Sequence, residues 1–115
     1  MKITDLKNGI IIVNLIFFSL FTPLLLAKKP TIEIDIINHF FVPDKIIIPA
    51  DTKVRLVIHN RDKTPEEFES YELNREKIIM GEKKVKIFIG PLAEGRYPFF
   101  GEFHPKTAQG VIIVK

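Results

Sequence analysis

After Pro30 the apolar residues fall on every second position: Ile32, Ile34 and Ile36 against Glu33 and Asp35, then Val54, Leu56 and Ile58 against Lys53 and Arg55, then Val85, Ile87 and Ile89 against Lys84 and Lys86. Side chains of an extended strand point alternately to its two faces, so this period predicts half-buried strands. Turn-forming residues interrupt the pattern at 42–44, 49–51, 60–63, 80–82 and 90–95. Strands are predicted over 31–37, 45–49, 52–60, 67–72, 76–80, 84–90, 96–101 and 110–115, joined by short turns, which is the sequence form of an all-β, antiparallel or Greek-key sandwich. The unbroken apolar runs Ile46–Ile48 and Val111–Val114 predict strands covered on both faces. Only the stretch from Pro65 to Arg75 leaves room for a short helical turn.

Lys2 and Lys7 open the chain, and Gly9 to Ala27 is apolar apart from Asn14, Ser19 and Thr22. A basic start followed by such a run reads as an export signal, with Pro23 and Ala27 suited to a helix break and cleavage. About 20 apolar residues also span a bilayer, so a retained anchor helix is the alternative for residues 1–27. Residues 30–115 then form one domain, large enough to bury a core without metal or disulfide staples. The chain has no cysteine, and from Pro30 onward 13 basic residues balance 13 acidic ones, so the net charge of +3 gives no sign of a nucleic-acid partner.

Longer motifs narrow the fold. Phe40-Phe41-Val42-Pro43, Ile46-x-Ile48-Pro49-Ala50 and Lys53-Val54-Arg55-Leu56-Val57-Ile58-x-Asn60 are followed by Glu67-Phe68-Glu69-Ser70, Leu73-x-Arg75-Glu76-Lys77, Gly90-Pro91-Leu92-x-x-Gly95-x-Tyr97-x-Phe99-Phe100 and Glu102-Phe103-His104-Pro105. Over residues 31–115 they resemble the cupredoxin-like domain of EfeO-type periplasmic iron-uptake proteins, which accompany an iron permease. The resemblance implies a cupredoxin-like Greek-key β-sandwich in the periplasm that binds an iron or copper ion in support of iron uptake, without enzymatic turnover. A blue-copper protein would place histidine just after Pro65, cysteine at Gly101 and methionine near Ala108 or Gln109. Here Glu66-Glu67 follows Pro65, and only His104 remains of that ligand set. A type 1 centre needs a thiolate, so blue-copper electron transfer is excluded.

The resemblance brings the Glu66–Glu69 segment and the Glu102–His104 loop to one end of the sandwich. In an extended strand Glu67 and Glu69 share a side, while Glu66 lies in the opposite phase. Glu102 and His104 share a phase provided that their loop stays extended. Glu67, Glu69, Glu102 and His104 are therefore the expected metal ligands, with Glu66 as a further candidate should a bulge follow Pro65. Carboxylates with one imidazole suit iron, manganese, Cu(II) or Zn(II) rather than Cu(I). Carboxylates crowded in one site repel, which raises their pKa values unless a cation neutralises them.

Other readings of these residues are plainer. Glu66, Glu67 and Glu69 without a metal would be a solvated acidic face balanced by Arg61, Lys63 and Arg75. His39, beside aromatic residues, reads as structural, with approach to the ligand end of the sandwich as its alternative; His59 reads as solvated and Met80 as a gap-filler. Phe68, Phe88, Phe99, Phe100 and Phe103 read as core. No phosphate loop or Ser-His-Asp set is present. Two rival functions follow: a metal-free module docking on a membrane transporter, and a copper-assisted ferroxidase component.

Overall fold

A computed structural model describes residues 29–115; the predicted leader, residues 1–27, lies outside the described residues. Nine strands follow in order: β1 Thr31–Ile37, β2 Phe40–Val42, β3 Lys45–Ile48, β4 Val54–Asn60, β5 Glu66–Ser70, β6 Arg75–Ile79, β7 Lys84–Ile89, β8 Gly95–Phe100 and β9 Gln109–Val114. They form two sheets, β2-β1-β4-β7 and β3-β9-β8-β5-β6, and no helix lies among the described residues. The alternation read from the sequence is the alternation of burial: in β4 the residues Val54, Leu56, Ile58 and Asn60 are buried, and those between them are half-buried. Ile34, Ile36, Leu56, Ile58, Phe68, Ile79, Phe99 and Ile112 fill the space between the sheets.

Four features depart from the sequence reading. Sequence reasoning missed β2 because a two-residue turn separates it from β1. Asn38 and His39 have φ of 52° and 66°, and positive φ at both central residues is what a type I′ hairpin requires. The sandwich is not wholly antiparallel, since β1 runs parallel to β4 and β3 parallel to β9. The apolar run Ile46–Ile48 is not covered on both sides: β3 is an edge strand, and Ile47 stands 53% exposed. Between Pro65 and Arg75 the chain continues as β5 and then makes a tight turn, closed by Asn74 N–H to the Tyr71 carbonyl at 3.1 Å, rather than a helical turn.

Two expected core positions are also corrected. Met80 is 58% exposed and fills no gap, and Phe103 is 45% exposed at the tip of the β8–β9 loop. Phe88 and Phe100 are half-buried. The aromatic core is instead Phe41, Phe68 and Phe99, packed with ring centroids 4.9 to 6.2 Å apart. A β-carbon at position 110 would fall 2.3 Å from the Phe99 ring, so Gly110 is what admits that ring to the core.

Candidate metal centre

One end of the sandwich carries the His39 turn, the loop from Arg61 to Pro65, the start of β5 and the loop from Gly101 to Ala108. Asn60 organises it. Its buried amide donates to the carbonyls of Thr64 at 2.8 Å and Ile79 at 3.1 Å, and its Oδ1 accepts from Asp62 N–H at 3.0 Å. The Asp62 carboxylate, fixed in this way, accepts from Asn38 N–H at 2.8 Å and His39 N–H at 3.0 Å, and its Oδ2 lies 3.5 Å from His39 Nδ1. A buried amide thus sets the position of a histidine through one carboxylate.

The second histidine is placed by the β8–β9 loop, which does not stay extended. Gly101 N–H donates to the Ala108 carbonyl, His104 N–H to the Gly101 carbonyl and Ala108 N–H to the His104 carbonyl. These turns send Glu102 and His104 in different directions. His104 Nδ1 lies 2.6 Å from Glu66 Oε2, and its ring stacks on that of His39 with centroids 3.5 Å apart and an interplanar angle of 12°. Glu66 is 1% exposed, and its Oε1 also accepts from Glu67 N–H at 2.9 Å and Phe103 N–H at 3.2 Å. His39, Glu66 and His104 each offer a ligand atom within 4.8 Å of the others.

Glu102 turns to the other side of β5. It joins Glu67, Glu69 and Glu76, whose ligand oxygens likewise lie within 4.8 Å of one another. Glu69 and Glu76 face each other across the β5–β6 ladder. Glu67 is 5% exposed, and its Oε1 is buried without a hydrogen-bond partner. Burial, then the contact with Glu102, raises its pKa to about 8; Glu69 is also raised, by desolvation first and by Glu76 and Glu102 next. Desolvation is the largest single cause in both, and the neighbouring carboxylates add to it.

The five sequence-predicted ligands therefore fall into two groups. Glu67, Glu69 and Glu102 come together with Glu76, while His104 goes to Glu66, and His39, read from sequence as structural, joins them. Glu66 and Glu67 are buried, so the solvated-face reading fails for both, and two of its three partners are engaged elsewhere: Arg61 with Asp35 at 3.2 Å, Arg75 with the Phe88 carbonyl at 3.2 Å. His59 is half-buried on the outer face of β4. The available signal for His39 was the dipeptide Asn38-His39 between two apolar runs, a hairpin turn by its Asn.

With this geometry in hand, the sequence matches the cupredoxin-like domain over residues 9–114. The chain belongs to the cupredoxin-like domain family. An uncharacterized protein of Rickettsia prowazekii (strain Madrid E) is 43% identical to this chain over 116 residues, 94% of the chain and 93% of the relative. Among solved structures, auracyanin A, a blue copper protein from Chloroflexus aurantiacus, superposes with a TM-score of 0.67 at 15% identity, covering 76% of this chain and all of that one. The metal-binding domain of the Streptococcus pneumoniae Cu(I)-exporting P-type ATPase, solved with Cu(I), gives 0.65 at 18% identity over 74% and 84% of the two chains. A purple cupredoxin from Nitrosopumilus maritimus gives 0.57 at 22% identity over 72% and 98%.

The residues present do not fit a type 1 copper centre. Beyond lacking a thiolate, position 101 has no room for one: a β-carbon there would stand 2.7 Å from the Glu66 carboxyl and 2.8 Å from Ala108 Cβ. Glu66 has taken the space that a cysteine would need. Ala108 is fully buried. The donor set that remains in this cupredoxin-like domain, two imidazoles with a carboxylate and a separate group of four carboxylates, fits borderline and hard ions.

Proposed function

We propose that this cupredoxin is a periplasmic, non-catalytic metal-binding protein that takes up Cu(II) or iron and serves iron transport through an iron permease. The observation that carries the reading is the convergence of His39, Glu66 and His104 on one point, in a fold whose similar structures include copper proteins. Two imidazoles suit Cu(II) and Zn(II), with positions left for water or a partner's ligand. The stacked rings must splay for both to direct a lone pair at one ion, so binding includes a small rearrangement at the hairpin turn. Glu66 holds His104 through Nδ1, which leaves Nε2 for an ion and fixes the ring in the way that partners of metal-bound histidines do.

Iron falls to the carboxylate group on this reading. The buried Glu67 Oε1 lacks a donor, and an ion shared by Glu67, Glu69, Glu76 and Glu102 would satisfy it while neutralising their mutual repulsion. Handling of iron and association with a permease rest on the resemblance of the Glu67–Ser70 and Glu102–Pro105 motifs and on this hard donor set.

The test is competitive titration of the protein with Cu(II), Zn(II), Fe(II), Fe(III) and Mn(II), alongside His104→Ala and Glu67→Gln/Glu69→Gln. His104→Ala should lose Cu(II) affinity by at least about a hundredfold and keep iron, and the carboxylate variant should do the reverse. Absence of stoichiometric binding of any ion would turn the reading to the metal-free docking module.

A further inference from the structure

We propose that the end of the sandwich opposite the histidines docks on an anionic membrane surface, through Lys29, Lys53, Arg55 and Lys86 gathered around the ring of Phe88. Their charged groups stand 5.8, 5.1, 5.8 and 6.0 Å from the ring centroid. A phenyl face attracts a cation, but four cations on one ring repel one another. Among the described residues no carboxylate forms an ion pair with any of the four; the pairs present are His39–Asp62, Arg61–Asp35 and His104–Glu66. Arg55 Nε is buried without a hydrogen-bond partner. A cluster held together in this way, with its counter-charge missing, is built to meet anions from outside.

Topology says which anions. Arg55 N–H donates to the Pro30 carbonyl at 2.9 Å, and Thr31 lies opposite Arg55, so the chain enters the sandwich at the cluster itself. The preceding sequence is the apolar run Gly9–Ala27 followed by Lys28-Lys29. Where that run is kept as the anchor rather than cleaved as a signal, a bilayer-length apolar segment joined directly to a basic face brings that face to the lipid headgroups, where each added basic residue strengthens attraction to anionic lipid. The carboxylates at this end, Glu33 on β1, Asp51 and Glu94 in its loops and Glu72 in the turn beside Arg75, are all exposed. β1 then sets the orientation. Its residues climb from the basic end at Thr31 to the His39 turn, about 3.3 Å each, so docking holds the histidines roughly 20 Å above the surface and facing away from it.

The test is amide hydrogen exchange of the full chain in vesicles of phosphatidylcholine alone or with 30% phosphatidylglycerol. The full chain keeps its apolar segment in both, so any difference between them reports the face. Exchange over 52–56 and 84–90 should slow by about tenfold in the anionic vesicles only, and that protection should vanish in 0.5 M salt and in Lys53→Glu/Lys86→Glu. Exchange over 101–108 should not change, which also shows that the variant is folded. Equal exchange in both vesicle types, protection that survives the charge reversal, or the same protection from inorganic phosphate without vesicles would overturn the proposal.

Discussion

Glu66 and Glu67 are consecutive, chemically identical and both buried, yet they live in opposite conditions. Glu66 accepts from two backbone N–H groups and a histidine ring. Glu67 faces other carboxylates and has an oxygen with no donor at all. The cause is the two-residue period of β5, which sends successive side chains to opposite faces, and the β8–β9 loop, which delivers His104 to one face and Glu102 to the other. The imidazole–carboxylate group is complete as a hydrogen-bonded unit and holds its shape without an ion. The carboxylate group is incomplete until it gains a proton or a cation. One group is stable as it stands and must open its stacked rings to take an ion, and the other is driven to acquire one.

This contrast can be broken first at Glu66. Replacing it by Ala removes an acceptor from Glu67 N–H, Phe103 N–H and His104 and opens a hole beside Gly101, so stability should fall by about 3 kcal/mol, read as a lower urea midpoint at unchanged slope. Glu67→Gln should act in the opposite direction. A carboxamide donates to Glu102 at any pH, where the carboxyl does so only while protonated, so the metal-free protein should gain about 1 kcal/mol at pH 8.

The same pair separates by pH. The folded-state pKa of Glu67 lies near 8, above its ordinary value of 4.5, so the folded protein binds more protons than the unfolded one between these values. Stability of the metal-free protein should therefore be fully retained by this group below pH 4.5 and fall as pH rises toward 8. The Gln variant should remove that slope, while a slope unchanged by the substitution would place its origin elsewhere. The smallest effect belongs to Glu76, exposed on edge strand β6: Glu76→Gln should change stability by less than about 0.5 kcal/mol while still weakening ion binding at the carboxylate group.

Much of the sandwich was legible because strand period and burial are the same fact. Val54, Leu56 and Ile58 could be placed in the core from spacing alone, and the phase rule correctly set Glu67 and Glu69 apart from Glu66. What spacing could not give was the path of a loop. Glu102 and His104 are two apart and share a side only in an extended chain; turns closed by backbone hydrogen bonds from His104 and Ala108 separate them. His39 ranked low for a related reason. Its position depends on Asp62 and Asn60, more than twenty residues away, and such pairings leave no local pattern. Glu66 filling the space beside Gly101 is a packing fact, visible only once both backbones are placed.

The central claim is that an ion at the histidine end is held by His39 and His104 together, and pulsed electron paramagnetic resonance of the Cu(II)-loaded protein tests it most directly. The account predicts couplings from the remote nitrogens of two imidazoles, reduced to one imidazole in His39→Gln and in His104→Gln. Copper bound with no imidazole coupling, or with a spectrum that neither substitution alters, would contradict it.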